Sequence, residues 1–90
     1  MARNFRQVER VVRGFANHRR IQILHLLESR PELDVMEIAD ACRIGFRNAS
    51  EHLRRLAVAG LILKQPKGNR VQHALSPRGR TALAFARKLE

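Results

Sequence analysis

"GFRNASEHLRRLAVAGLI", residues 45–62, decides how this chain folds. Ala49, Leu53 and Leu56 recur at i, i+4 and i+7, the spacing of one buried helical face. The helix so predicted runs from Phe46 to Ala59, with Gly60 as its C-terminal stop. Its remaining positions, Arg47, Asn48, Glu51, Arg54 and Arg55 with Ser50 beside them, point away from that face. They form a polar, cation-rich surface.

The flanking segments give that helix its context. Upstream, "ELDV" is a short extended piece, followed by a helix from about Met36 to Arg43 with Ile38, Ala39 and Cys42 on one side, broken at Ile44-Gly45. Downstream, "LILK" and "VQHAL" are β-prone runs joined by "QPKGNR", whose Pro66, Gly68 and Asn69 are turn formers. That is a hairpin with a basic tip, Lys67 and Arg70. Further out, Asn17 caps a helix over "HRRIQILHLLES" that Pro31 ends, and Ser76-Pro77 opens a last helix. The first helix, residues 4–16, carries Phe5, Val8, Val12 and Phe15 as a stripe, and the last, 77–89, carries Ala82, Phe85, Ala86 and Leu89. These two stripes either fold back on their own core or form a seam between two copies, through Phe5, Val8, Val12, Phe85 and Leu89.

Charge narrows the choice of partner. Eighteen basic residues against eight acidic ones give a net charge of +10. Residues 1–30 carry +5, 31–42 carry −4, 43–80 carry +8 and 81–90 carry +1, so the positive charge is concentrated on either side of one acidic segment. A basic block in a folded, non-repetitive chain suits a polyanion, because each cation set on a phosphate releases condensed counterions. Ninety residues without a repeat or linker read as a single domain, 1–90, and a chain this short buries only about 60 to 65% of its unfolded surface. With no long apolar run and no signal-peptide pattern, the expected location is the cytoplasm, away from membranes. A lone cysteine, Cys42, excludes an internal disulfide framework and a multi-cysteine zinc module, and its phase with Ile38 and Ala39 predicts a buried, inert thiol.

A short helix, a tight turn, a longer helix with polar residues at its start and a basic-tipped hairpin follow one another in the order of a winged helix-turn-helix, a mainly α fold with one small β-hairpin. In that geometry the second helix enters the major groove and the hairpin reaches along the backbone. Arg47 and Asn48, in the first turn, are the candidate base readers, since arginine matches guanine O6 and N7 and asparagine matches adenine N6 and N7. Ser50 and Glu51 are further candidates, Glu51 either accepting from cytosine N4 or orienting an arginine. Arg43 at the turn, Arg54 and Arg55 a turn further on, and Lys67 and Arg70 at the hairpin tip are the candidate phosphate contacts. Phe46 is expected to pack under the preceding helix.

From "FANHRRIQILHLL" through "ELDVMEIADACRIGFRNASEHLRRLAVAGLI" to "PKGNRVQHALS", the chain resembles the ArsR-type winged-helix repressors, with some likeness to MarR-type ones in "LSPRGRTAL". "ASEHLRRLAVAGLI" is the most specific part. The resemblance implies a homodimeric DNA-binding transcriptional regulator, a repressor joined through its first and last helices and reading an inverted repeat. Metal-sensing members carry Cys-Val-Cys where this chain has Asp34-Val35-Met36, and its last helix holds no histidine and only Glu90 as an acidic residue. No metal, cofactor or small-molecule effector is therefore expected. His18 and His25 sit seven residues apart, about 10 Å along a helix, too far to share one metal ion within a subunit. Structural roles are expected for both, and for His52 and His73. No nucleophile–base pattern, phosphate-cradling glycine loop or carboxylate pair suggests an enzyme. Two other readings stay open: a sequence-tolerant architectural or RNA-binding protein, and a winged-helix docking module.

Overall fold

The computed structural model describes residues 3–90; residues 1 and 2 of the expected domain lie outside the described residues. Five helices and a hairpin follow in the order α1 (Phe5–Phe15), α2 (His18–Ser29), α3 (Val35–Cys42), α4 (Phe46–Val58), β1 (Ile62–Lys67), β2 (Arg70–Leu75) and α5 (Pro77–Arg87). This is the winged helix-turn-helix arrangement, α3 and α4 forming the pair and β1–β2 the wing.

α2 is the hub. Its Ile23, Leu24 and Leu27 are sealed among Leu33, Ile38 of α3, Leu53 and Leu56 of α4, and Leu61. Each fully buried aliphatic side chain of this kind contributes about 1.5 to 3 kcal/mol relative to exposure. Cys42 belongs to the same core, where burial pushes its thiol up from its ordinary value, so it is not the thiolate that reactivity needs.

Local signals start the elements. Asn4 Oδ1 accepts from Gln7 N (3.0 Å), Asn17 Oδ1 from Arg19 N (2.9 Å), and Ser76 Oγ from Gly79 N (3.0 Å), each occupying a helix-terminal donor. α3 begins at Val35, one residue before the sequence expectation, because Asp34 and Glu37 close a reciprocal capping box: Glu37 N donates to Asp34 and Asp34 N to Glu37. It also ends a residue early. Arg43 takes the left-handed conformation (φ 56°, ψ 46°), and its N–H meets the carbonyls of Ala39 and Asp40.

The wing is longer and its turn tighter than expected. Pairing runs from Ile62↔Leu75 to Lys67↔Arg70, so most of "QPKGNR" is strand and only Gly68-Asn69 forms the turn. Gly68, at φ 62°, supplies the positive φ that the first central residue of such a two-residue hairpin requires. Pro66 fits because, among the described residues, neither strand has a second neighbour to demand its missing N–H. At the wing's base, His73 is buried, and its Nδ1–H donates to the Leu33 carbonyl (3.0 Å), tying β2 to the segment before α3.

At the other end, α1 crosses the C-terminal end of α4 at Gly14, where an added Cβ would collide with the Ala59 side chain. α5 is held to α2 by a bidentate pair, Arg87 Nη2 to Glu28 Oε1 (2.7 Å) and Nη1 to Oε2 (3.1 Å).

Candidate nucleic-acid interface

The exposed side of α4 follows from its buried one. With Ala49, Leu53 and Leu56 in the core, helical phase puts Arg47, Glu51 and Arg54 outermost, Ser50 on one flank and Asn48 with Arg55 on the other. Arg47, Ser50, Glu51 and Arg54 line one shallow concavity together with Phe46; Asn48 lies outside it. Phe46 departs from expectation. It is 56% exposed, because Ala49 is the first α4 residue that the core covers and Phe46 projects beyond it toward Met36 and Val71.

The cations of this face differ in how they are held. Arg47 and Lys67 are exposed and form no ion pair among the described residues. Glu51, in contrast, receives both Arg54 Nε (3.1 Å) and Arg55 Nε (3.3 Å), which holds its carboxyl below the usual range, chiefly through the Arg54 hydrogen bonds. In the free protein Glu51 therefore orients arginines, one of the two roles its position suggested. Arg70 is not a free hairpin-tip cation. Its Nε lies 3.2 Å from Asp34 Oδ2 and its Nη2 bonds Glu37, so it ties the wing to the capping box of α3. Asp34 is held below its ordinary value, mainly by the Glu37 N–H and then by Arg70. Arg43 is exposed at the left-handed turn between α3 and α4.

Tertiary packing adds three cations that the linear reading did not assign. Arg10 and Arg13 of α1 and Arg20 of α2 line a groove with Arg54, Arg55, Val58 and Ala59 of the α4 end. Their only sequence signal was the +5 charge of residues 1–30.

A second surface is apolar. Phe5 (73% exposed), Val8, Val12, Phe85 (51%) and Leu89 are all open to solvent, and Val12 and Phe85 line one shallow trough between α1 and α5 with Val11, Phe15 and Ala82. Of the two stripes, Phe15 and Ala82 fold back on the core, whereas Phe5, Val8, Val12, Phe85 and Leu89 do not. Isolated apolar side chains on a surface are ordinary, but four on α1 and α5, with Leu89 just past the end of α5, leave an unusual amount of apolar surface without cover. Among the described residues no helix is long and apolar enough to cross a membrane.

Known proteins share this arrangement. The sequence profile of the bacterial regulatory protein, arsR family, matches residues 17–64, from the N-cap of α2 into β1. The homodimeric winged helix-turn-helix DNA-binding domain of a possible ArsR-family transcriptional regulator from Mycobacterium bovis superposes with a TM-score of 0.84 at 30% identity, over 99% of this chain and 89% of that one. HlyU from Vibrio cholerae gives 0.83 at 27% identity, over 99% and 97%. The multiple antibiotic-resistance repressor MarR from Listeria monocytogenes, at 17% identity and a TM-score of 0.71 over 86% of this chain and 56% of that one, shares the fold. No curated protein matches the sequence. Family and fold are those of transcriptional regulators, not of enzymes. The profile match covers more than half of the chain and includes the whole helix-turn-helix: this protein belongs to the arsR family of bacterial regulatory proteins.

Proposed function

We propose that residues 1–90 act as a homodimeric, sequence-specific double-stranded-DNA-binding regulator, a cytoplasmic repressor that reads an inverted repeat. The observation that carries this reading is α4 itself: a helix pinned through Ala49, Leu53 and Leu56 that leaves Arg47, Asn48 and Ser50 exposed in its first turns, beside a wing ending in Lys67. Arg47 and Asn48 read base edges, and Ser50 and Glu51 complete the reading surface. Arg43, Arg54, Arg55, Lys67 and Arg70 meet phosphates, the paired ones by exchanging carboxylates for phosphate oxygens.

The uncovered α1–α5 patch supports the second half of the reading. Two copies joined through Phe5, Val8, Val12, Phe85 and Leu89 give a two-fold assembly that presents two α4 helices, and a two-fold protein calls for a two-fold site. The described domain of the Mycobacterium bovis relative is homodimeric.

Light scattering combined with competition binding tests both halves. The expected result is a mass of two chains and preference for duplex DNA over structured RNA. Val12→Asp, which places a charge in the seam, should yield monomers and reduce duplex affinity. A monomeric wild type, or equal affinity for RNA, contradicts the proposal and favours the sequence-tolerant reading.

A further inference from the structure

The groove between the end of α1, the start of α2 and the end of α4 shares Arg54 with the concavity at the start of α4 but extends away from that first turn. Val58 lies eleven residues beyond Arg47, about 16 Å along the helix axis. Five arginines line it: Arg10, Arg13, Arg20, Arg54 and Arg55. Its volume is about 280 Å³, and Gly14, Val58 and Ala59 add an apolar wall, Val58 being 77% exposed. Helical phase sets Arg10 opposite Phe5, Val8 and Val12 on α1, so pairing through that stripe leaves the groove open.

Its charges are incompletely answered. Glu9 meets Arg13 (3.3 Å), and the single Glu51 serves both Arg54 and Arg55. Arg10 and Arg20 have no ion pair among the described residues, and the Arg20 Nε is buried with no hydrogen-bond partner. A buried donor left unmade costs about 1 to 3 kcal/mol, more when charged. Burial, followed by the nearby Arg55, pulls Arg20 below its ordinary value, as expected for a guanidinium with too little negative charge around it. A concave, partly desolvated site with an excess of guanidinium groups focuses potential onto an anion, and the planar guanidinium fork matches phosphate oxygens.

We propose that this groove binds a small phosphate ester, its charged head held by Arg10, Arg13 and Arg20 and its apolar body laid on Val58 and Ala59. Bound there, the phosphate also competes with Glu51 for Arg54 and Arg55. The consequence for DNA rests on the function proposed above; the site itself does not.

Phenyl phosphate is a direct probe. The full chain, without DNA and at constant ionic strength, is titrated with it while the arginine Nε–Hε and valine methyl signals are followed by NMR, with inorganic phosphate and sodium chloride as controls. A saturable shift at Arg20 Nε–Hε and at the Val58 methyls is expected, tighter for phenyl phosphate than for inorganic phosphate. The double variant Arg10→Ala/Arg13→Ala, at two exposed positions, should weaken it about tenfold or more, equal to about 1.4 kcal/mol. Shifts no larger than those from chloride, or saturable shifts indifferent to the double variant, overturn the proposal. Response of Arg10 and Arg20 to duplex DNA but not to phenyl phosphate also overturns it, making the groove a clamp for backbone phosphate. Phenyl phosphate binding without any duplex binding would keep the site and reject the regulatory reading.

Discussion

Arg47 and Arg70 lie on either side of Phe46, one in the first turn of α4 and the other beside the turn at the tip of the wing. Both are exposed arginines in a basic sequence. Arg47 has no ion pair among the described residues, whereas Arg70 holds Asp34 and Glu37, fixing the wing against α3. The difference shows that a basic position in the sequence can already be engaged by the protein's own carboxylates, so equal charge in the sequence is not equal availability on the surface. The acidic segment 31–42 is thus part of the wing's attachment as well as a break between basic regions.

The largest effect that sharpens this contrast belongs to Arg47. Its replacement by alanine should cost about 1 to 3 kcal/mol at one base position and relax the preference there, measured by competition with single-substitution duplexes. A uniform loss on all sequences would reduce Arg47 to a phosphate contact. Next come the wing cations. Lys67→Ala should weaken specific and random DNA alike and lower the salt slope by about one unit, while Arg70→Ala should lower it by less, because that charge is already shared with two carboxylates. Equal slopes would break the contrast. Asp34→Asn retains a helix-capping side chain while removing one of Arg70's partners, so the slope should steepen.

Acid titration checks the tether itself. The folded Asp34 carboxyl lies below its ordinary 3.8, so the stability it contributes is present above that pH and is lost as pH falls through the lower folded value. In Arg70→Ala its NMR midpoint should rise toward 3.8 without reaching it, since the Glu37 N–H, the larger influence, is retained. The smallest effect concerns backbone rather than charge. Arg43→Gly relieves a left-handed residue and should raise stability by about 0.5 to 1 kcal/mol, measured by thermal denaturation, even as it removes a candidate phosphate contact.

What could be read in the sequence follows from how local each signal is. α4 was legible nearly to the residue because three core contacts and a following glycine repeat the helical period. The Asn17 and Ser76 caps were legible for the same reason. The capping box of Asp34 and Glu37 was also present as a D-x-x-E spacing, and it corrects the start of α3. The wing's length was not legible, since residues 63–70 are all exposed and carry no alternation of burial, and the extent of pairing is set across the ribbon. Phe46 misled because helical phase places it with the buried side, while the end of the core is a property of the packed helices. The Arg70 tether spans 36 residues to Asp34, and the five-arginine groove brings three helices together. Neither leaves a mark on any short stretch.

Selection from a pool of random duplexes on the purified protein tests sequence-specific recognition by α4. The expected result is enrichment of a two-fold-symmetric site with half-sites about one helical turn, or a multiple of it, apart, lost or relaxed at one position per half-site with Arg47→Ala. Failure to enrich any sequence over the starting pool, while the protein still binds duplexes at low salt, would contradict it.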